Sequence, residues 1–263
     1  MTDSDRDPSG AGGAFDPVSD SNGNLRRAFE VLAEESPSGE TRQFGSVTTA
    51  ATGVPTPFFN RVFVFEAPAG DLSAAIEWMS DRDAPFRVFV ADPAVETVEN
   101  HRRGLDLVKT GEQPGMAMTP LDGVPPRDSV VEITEVTGPE EREEYSTVTG
   151  SAFGWPPEVV EPIDRAALAA NGVRLFLGRV DGQTAACGLL VRTGDVAGVY
   201  SIAVMEEFRR QGIGEAMTWE VLRVGRDDGC QAGVLQSSEM GYPLYERMGF
   251  ETVVTYHQFE PTG

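Results

Sequence analysis

The turn that follows an apolar run near residue 200 has the composition of an anion-binding loop. It consists of Arg209, Arg210, Gln211, Gly212, Ile213 and Gly214. A glycine lacks the Cβ that would keep a phosphate away from the backbone, and the periodic apolar residues after the turn predict a helix that begins there. The first N–H groups of a helix are free and lie at the positive end of its dipole. The spacing therefore predicts a main-chain site for a phosphorylated ligand.

Two common nucleotide sites do not fit this turn. A Walker loop requires Gly-Lys-Ser/Thr, whereas Gly214 is followed by Glu215 and Ala216. A dinucleotide-binding loop requires Gly-x-Gly-x-x-Gly in a parallel βαβ unit, and the glycine spacing here differs. A glycine-rich turn without a ligand remains the open alternative.

A second block, residues 237–250, follows after a predicted helix and strand, and it ends in Leu-Tyr-x-x-x-Gly-Phe with Tyr245 as its tyrosine. The first block has the pattern Arg-x-x-Gly-x-Gly at Arg209, Gly212 and Gly214. In this order the two blocks resemble the acyl-CoA-binding motif and the last conserved segment of the GNAT N-acetyltransferase superfamily. The resemblance covers roughly the C-terminal half of the chain.

The resemblance implies an enzyme that moves an acetyl group from acetyl-CoA directly to an amine in a ternary complex. It implies that the Val204 N–H donates to the thioester carbonyl and that Tyr245 donates to the departing thiolate, since a phenol is neutral at pH 7. An aromatic ring that only packs against the cofactor is the alternative for Tyr245, and Tyr242 is expected to line the pocket. The implied cofactor-binding residues are Ile202, Ala203, Val204, Arg209, Arg210, Gln211, Gly212, Ile213, Gly214, Glu215 and Ser237.

The sequence does not identify a general base or an acceptor. Many relatives carry a carboxylate on the strand before the glycine turn, but Tyr200 and Ser201 stand there. A water relay, Glu158 and Glu239 remain open candidates for the general base. The acceptor is a small-molecule or peptide amine of unknown identity, because fold-level analogy does not supply it. The alternative function is a catalytically silent acyl-CoA-binding regulatory module.

The predicted elements around the motif have the order β-β-β-α-β-α-β. Strands are expected at 173–180, at 184–192 and up to Met205, and Ile213, Met217, Val221 and Val224 form one apolar face of the next helix. A strand at 232–236, a helix between Pro243 and Gly249 and a strand at 251–259 complete the order. The expected fold class is α/β, with a mixed, mainly antiparallel sheet flanked by helices and two related halves, as in the acyl-CoA N-acyltransferase fold.

The N-terminal part is expected to be a degenerate partner of this core. We divide the chain into a disordered acidic tail (1–22), a degenerate GNAT-like half (23–120), a proline-rich linker (121–127) and a GNAT acetyltransferase domain (128–263). Helices are expected at 25–35 and 71–79, and strands at 44–52, 58–66 and 86–90. The dipeptides Pro85-Phe86 and Gly104-Leu105 and the tripeptide Pro114-Gly115-Met116 resemble the first half of tandem GNAT proteins.

A second cofactor site is not expected in this half. We take the connection after the strand at 86–90 as the equivalent of the glycine turn. That connection carries Asp92, Pro93 and Glu96. Carboxylates repel phosphate, and proline removes an N–H donor.

Composition bears on the environment and the partners. The formal net charge is −21, with 42 acidic and 21 basic residues, and Lys109 is the single lysine. This resembles the proteins of halophilic archaea and makes nucleic acid an improbable partner. No 18-residue apolar run occurs, so we expect a cytoplasmic protein without a membrane partner. Cys187 and Cys230 are expected to be buried hydrophobes, and His101 and His257 structural or surface residues, with no metal site. A homodimer remains open.

Overall fold

The computed structural model describes residues 14–66, 71–125 and 131–262. The first half contains α1 (Pro17–Glu35), β1 (Glu40–Phe44), β2 (Val47–Ala51), β3 (Arg61–Val64), α2 (Leu72–Ser80), β4 (Arg87–Ala91), α3 (Asp92–His101) and β5 (Leu107–Met118). The second half contains β6 (Glu132–Glu135), α4 (Pro139–Phe153), α5 (Pro157–Ala169), β7 (Val173–Val180), β8 (Gln183–Thr193), β9 (Val196–Val204), α6 (Ile213–Asp227), β10 (Ala232–Gln236), α7 (Tyr242–Met248) and β11 (Glu251–Pro261).

The described strands form one 11-stranded sheet in the order β1-β2-β3-β4-β11-β5-β10-β9-β8-β7-β6. The pairs β3–β4 and β9–β10 are parallel, and the other neighbouring pairs in the described residues are antiparallel. This confirms the predicted α/β fold with a mixed, mainly antiparallel sheet flanked by helices. The predicted order β-β-β-α-β-α-β is also confirmed, from β7 to β11.

The first half repeats this order and exchanges its last strand with the second half. β1, β2, β3, α2, β4, α3 and β5 follow one another as β7, β8, β9, α6, β10, α7 and β11 do. However, β5 pairs with β10 of the second half, and β11 pairs with β4 of the first half. β5 and β11 pair with each other along the centre of the sheet. The exchange makes one continuous sheet of both halves.

Helices cover both faces of the sheet. α1, α4 and α5 pack on one face, over a core that includes Phe63, Phe89, Leu175 and Leu189. On the opposite face, α6 packs on β8 and β9, and α2 and α3 pack on the strands of the first half. α1 contacts α5 as well as strands of both halves, so it spans the junction between them.

Two predicted boundaries are wrong. α1 begins at Pro17, because the Asp16 carboxylate caps it by accepting the N–H groups of Val18 and Ser19 at 3.1 and 2.9 Å. Residues 17–22 are therefore helical rather than part of a disordered tail, and residues 1–13 lie outside the described residues.

The predicted linker is packed where the structure describes it. Leu121 and Val124 are buried in the core beneath α6, and the Arg223 guanidinium donates to the Pro125 carbonyl at 2.9 Å. Residues 121–125 therefore fix the two halves to each other rather than separate them. Residues 126 and 127 lie outside the described part of the chain.

Candidate active site

A slot opens where β9 and β10 diverge. Their parallel pairing ends at Gly198 and Val234, although β9 continues to Val204 and β10 to Gln236. A bulge accompanies the opening, since the pairing of β8 with β9 skips a residue on β9 and Ser201 has φ = 50°. Bulges bend a strand and re-aim its side chains. Among the described residues, the second half of β9 thus has a main-chain edge without a strand partner on the β10 side.

The Val204 amide lies on this open edge. The Met205 N–H donates to the Ala185 carbonyl on β8 at 2.8 Å. Because successive N–H groups of a strand point to opposite sides, the Val204 N–H points away from β8 and into the slot. The Val204 carbonyl accepts a hydrogen bond from Arg209 Nε at 3.1 Å. The slot therefore contains the N–H group of Val204, the residue for which the resemblance implies a donor role.

The glycine turn leads into a helix N-terminus that faces open space. The first helical hydrogen bond runs from the Ala216 N–H to the Gly212 carbonyl at 3.0 Å, so the N–H groups of residues 213–215 precede it. A Cβ built on Gly212 has no atom within 4 Å, and one on Gly214 meets only Val204 Cγ2, at 3.7 Å. This open volume beside free N–H groups fits a pyrophosphate.

The other predicted cofactor-binding residues surround the same turn and slot. Arg210, Gln211 and Glu215 are exposed, and Ile202 is half-buried. Ala203 and Ile213 are buried in the core, so only their main chains can contact a ligand. Ser237 is also buried; its N–H donates to the Pro114 carbonyl at 2.9 Å, and its hydroxyl to the Ser238 carbonyl at 2.8 Å. Those two bonds occupy the Ser237 donors in this structure.

Tyr245 faces a cavity at the inner end of the slot. Its ring is half-buried and packs edge-on against Phe250, with 5.9 Å between centroids. Burial raises the pKa of the Tyr245 phenol to about 12, and the Thr218 hydroxyl partly opposes that shift. The phenol is therefore protonated at neutral pH and is available as a donor.

We call this space the inner cavity; its volume is about 360 Å³. The slot contributes the residues Tyr200, Ser201, Ile202, Gln236, Ser238 and Tyr245 to its wall. The rest of the wall comes from α1, β3, β4, α4, α5 and nearby segments and is mainly aromatic and aliphatic. An outer cavity of about 500 Å³ shares Phe58, Arg61, Gln113 and Ser238 with it. The outer cavity also includes Arg87, Glu112, Glu239 and Gln258.

Asp164 is a site residue that sequence reasoning missed. It lies on α5, is buried, lines the inner cavity and accepts a hydrogen bond from the Thr149 hydroxyl at 3.0 Å. Burial raises the pKa of its carboxyl to about 6, although Ser146, Thr149 and Arg142 act in the opposite direction. No sequence signal separates this aspartate from the many surface carboxylates, because only the packing of α4 on α5 buries it.

The two carboxylates left open by the sequence occupy different places. Glu158 is exposed on the first turn of α5 and lines neither cavity, whereas Glu239 is exposed at the outer cavity.

The two histidines have ordinary structural contacts. His257 contacts Asp92, with 2.9 Å between Nε2 and Oδ1, and the exposed His101 contacts the Thr97 carbonyl at 2.7 Å. In residues 14–66, 71–125 and 131–262, no cluster of three or more His, Cys, Asp or Glu side chains could hold a metal ion. No helix in those ranges is long and apolar enough to cross a membrane.

In the described residues of the first half, β3 and β4 leave no comparable slot. β3 pairs with β4 along the whole of β3, from Arg61 opposite Arg87 to Val64 opposite Val90. Because β3 and β4 correspond to β9 and β10, the counterpart of the glycine turn is the connection 65–71, of which 67–70 lie outside the described residues. The prediction that placed it after β4 is therefore wrong. Asp92 begins α3 instead, and its carboxylate accepts the Thr255 N–H at 2.7 Å.

Comparison with known proteins agrees with this geometry. Residues 135–250 match the model of the acetyltransferase (GNAT) family. The match supports the assignment of this segment to the GNAT acetyltransferase family. A glucosamine 6-phosphate N-acetyltransferase from Trypanosoma brucei brucei is 33% identical over 55 residues, which are 21% of this chain and 37% of that protein. The chain thus matches little more than a third of this curated relative.

Solved structures of GNAT proteins share the fold. A GCN5-related N-acetyltransferase from Kribbella flavida has a TM-score of 0.68 at 17% identity and covers 95% of this chain and 97% of its own. Another from Sphaerobacter thermophilus has a TM-score of 0.59 at 20% identity, over 82% of this chain and 76% of its own. The first of these matches extends over both halves of the sheet.

Proposed function

We propose that this protein is an acyl-CoA-dependent N-acetyltransferase that moves an acetyl group from acetyl-CoA to an amine by direct attack in a ternary complex. One observation carries the proposal. The divergence of β9 and β10 connects the open N-terminus of α6 with a buried cavity that Tyr245 lines. A phosphorylated carrier can thus lie outside while its reactive end reaches a cavity with a mainly apolar wall.

The main chain supplies most of the proposed acetyl-CoA site. The free N–H groups of residues 213–215 would bind the pyrophosphate, and the glycines leave room for it. Arg209 and Arg210 add positive charge at the turn of a chain whose net charge is −21. Short main-chain hydrogen bonds depend less on salt than long-range attraction to arginine does. A phosphate site that relies mainly on main-chain N–H groups suits a protein that works at high ionic strength, as the composition suggests.

The reaction requires an oxyanion donor and an acid for the leaving group. As the amine nitrogen bonds to the acetyl carbon, the carbonyl oxygen gains negative charge, which the Val204 N–H in the slot would stabilise. The C–S bond then breaks, and its electron pair leaves on sulfur. Tyr245 would donate its proton, or a hydrogen bond, to that thiolate.

A base must accept the proton that the amine loses. We propose Asp164 for this role, directly or through water, because it is a carboxylate in the inner cavity and is largely ionised at neutral pH. Glu239 at the outer cavity is the second candidate. The proton moves from nitrogen to a carboxylate oxygen, so the charges balance when the phenol protonates the thiolate.

The first half is proposed to be a degenerate GNAT-like half that shapes the acceptor site. It contributes Phe29, Phe58, Arg61 and Phe89 to the inner cavity. A hexosamine phosphate, the kind of acceptor that the name of the curated relative indicates, is not proposed for this chain. Aromatic and aliphatic side chains line most of the cavity and would leave many sugar hydroxyls unpaired.

The test separates an enzyme from a silent acyl-CoA-binding module. The full chain is titrated with acetyl-CoA and then incubated with a panel of amines, amino acids, polyamines and peptides. Release of CoA thiol and the mass of the acetylated product are followed. We expect one class of amine to release CoA well above the amine-free rate. Binding of acetyl-CoA with no turnover of any amine would favour the silent module, and no binding at all would contradict both.

A further inference from the structure

The inner cavity contains a buried arginine that has no anionic partner among the described residues. Arg61 on β3 is 2% exposed. Its Nε donates to the Phe58 carbonyl at 2.6 Å, but its Nη1 is buried without a hydrogen-bond partner. The carboxylate that acts on it at longer range, Glu260, pairs with Arg87 at 2.5 Å. Arg61 thus has no ion-pair partner among the described residues.

Three aromatic rings hold the guanidinium in place. Its central carbon lies 3.8 Å from the ring centroid of Phe89, 4.5 Å from that of Phe29 and 4.7 Å from that of Phe58. Stacking stabilises the flat faces of a guanidinium but leaves the N–H edge free for a hydrogen-bond acceptor. Because a buried charge without a partner is costly, this arrangement fits a site that a ligand anion completes.

Charge balance favours a carboxylate over a phosphate. The Nε of Arg61 is already occupied, so only the Nη edge is free. A carboxylate carries one negative charge and neutralises one guanidinium. A phosphate with two negative charges would leave an excess negative charge in the cavity. Arg61 also lines both cavities, where a ligand can reach it.

The walls around Arg61 indicate the rest of the ligand. Trp155 contacts Phe58 and Phe59, with centroids 4.9 and 5.0 Å apart, and Ile163 lies in the same wall. Such a surface favours an aromatic or branched aliphatic group. Resting on the proposed acetyltransferase function, we propose that the acceptor is an amine that bears a carboxylate on an apolar body, of the chemical type of a hydrophobic amino acid. Arg61 binds that carboxylate and so sets acceptor specificity.

The test compares acceptors that differ only in the carboxylate. L-Phenylalanine is compared with phenethylamine, and 6-aminohexanoate with hexylamine, by kcat/KM at saturating acetyl-CoA. We expect at least one carboxylate-bearing member to exceed its partner by about 100-fold or more, since a site built for a polar group rejects analogues that lack it. Arg61→Met should remove most of this preference and leave acetyl-CoA affinity unchanged.

Arg87→Met is the matched control. Arg87 lies opposite Arg61 on the neighbouring strand, lines only the outer cavity and is paired with Glu260. This variant should keep the preference for the carboxylate. Arg61→Met is expected to fold, because replacing an unpaired buried charge by an apolar side chain of similar length removes a desolvation cost. Should it not fold, Arg61→Lys gives the same comparison, since an ammonium cannot both stack and present a planar N–H edge.

A binding measurement tests the anion site without catalysis. N-Acetyl-L-phenylalanine and N-acetylphenethylamine are titrated into the wild type and into Arg61→Met. We expect the first ligand to bind the wild type at least about ten-fold more tightly than the second, and the variant to bind both alike. Turnover with equal use of both members of each pair would overturn this proposal and keep the acetyltransferase. Arg61-dependent binding without turnover of any amine would support a carboxylate site at Arg61 and contradict the acetyltransferase function.

Discussion

At the residue scale, two ionisable groups that line the inner cavity differ in protonation. Burial raises the pKa of both, but the Tyr245 phenol reaches about 12 and the Asp164 carboxyl about 6. Near pH 7 the phenol is therefore a proton donor and the carboxylate largely a proton acceptor. Groups whose pKa values lie on opposite sides of the working pH can divide the acid and base roles of one reaction.

The first prediction concerns Tyr245. Tyr245→Phe should keep acetyl-CoA affinity within a few-fold but lower turnover by about ten- to ten-thousand-fold, the range for a lost general acid. Titration calorimetry measures the first quantity and CoA thiol release the second. Tyr242→Phe, which removes a hydroxyl that bonds to Thr252 and lies outside the inner cavity, is the control. Full turnover in Tyr245→Phe would make the tyrosine a packing residue only.

The second prediction concerns the stability cost of Asp164. A carboxyl with a raised folded-state pKa binds more protons when folded, so its contribution to the free energy of unfolding falls as pH rises from about 3.8 to about 6. Asp164→Asn removes this dependence. The free energy of unfolding of the Asp164→Asn variant, relative to that of the wild type, should therefore rise by up to about 3 kcal/mol between pH 4 and 7, at about 1.4 kcal/mol per pKa unit.

Denaturant unfolding of both proteins at several pH values in molar KCl measures this difference. Glu158→Gln on the same helix is the control, because it removes an exposed carboxylate that lines neither cavity. A constant difference between wild type and Asp164→Asn would mean that the Asp164 carboxyl titrates as an ordinary exposed one. The same variant should also reduce turnover if Asp164 accepts the proton from the amine.

At the element scale, the site depends on two parallel strands that stop pairing. Divergence of β9 from β10 frees main-chain groups, and the α6 N-terminus lies at the outer end of the opening. The equivalent strands β3 and β4 stay paired and leave no such opening. The same succession of elements therefore forms a slot in one half and a closed sheet in the other.

The third prediction tests the α6 N-terminus at Gly214. Gly214→Leu should reduce acetyl-CoA affinity by at least about ten-fold, because the side chain occupies the proposed pyrophosphate volume. Gly214 is a better target than Gly212, whose φ of 80° disfavours any other residue. Gly23→Ala, at another glycine with open space around it, is the control. A native-like melting curve with unchanged affinity would remove the proposed phosphate site.

At the scale of the whole molecule, exchange of β5 and β11 joins two similar halves into one sheet with a single slot in the described residues. The junction between the halves then becomes the place where the inner and outer cavities lie. A chain with net charge −21 must also hold this assembly together against its own repulsion. Stoichiometry and salt dependence are therefore the properties to test at this scale.

The fourth prediction is one CoA per chain. The connection 65–71, the counterpart of the glycine turn, contains Glu66 and Asp71 but no arginine, and β3–β4 offers no opening. Native mass spectrometry of the chain saturated with acetyl-CoA should therefore show a single bound molecule. The Gly214→Leu variant should show a smaller bound fraction at the same acetyl-CoA concentration. Two molecules on each wild-type chain would mean that both halves are working cofactor sites.

The fifth prediction is that salt stabilises the fold. The Debye length falls from about 10 Å at 0.1 M to about 3 Å at 1 M, so KCl screens repulsion among the carboxylates. The melting temperature at pH 7.5 should rise with KCl up to molar concentrations, and acetyl-CoA should still bind there. Repeating the melts at pH 4.5, where more carboxylates are protonated, should give a smaller rise. A melting temperature that is independent of KCl at pH 7.5 would contradict the halophilic interpretation.

The local sequence was sufficient for the order of elements from β7 to β11, although it did not predict β6, α4 or α5. Alternation, glycine turns and one amphipathic helix predict β7 to β11 in order, because each signal lies within a few residues of the element it specifies. The glycine turn and the Leu-Tyr-x-x-x-Gly-Phe block are equally local. That order predicts one site for Gly212, Gly214 and Tyr245.

Only the tertiary structure reveals β5 as a central strand. Its Pro114 and Gly115 favour a turn when read locally. In the sheet, a Cβ on Gly115 would lie 2.6 Å from the Tyr256 ring, so glycine permits a close approach that no local pattern indicates.

The roles of Arg61 and Asp164 are likewise not visible in the local sequence. Their burial depends on partners far away in the chain, such as Phe29 and Phe89 around Arg61. The sequence alone therefore determined the glycine-turn motif and the order of elements from β7 to β11, whereas long-range packing decided the cavity beside them.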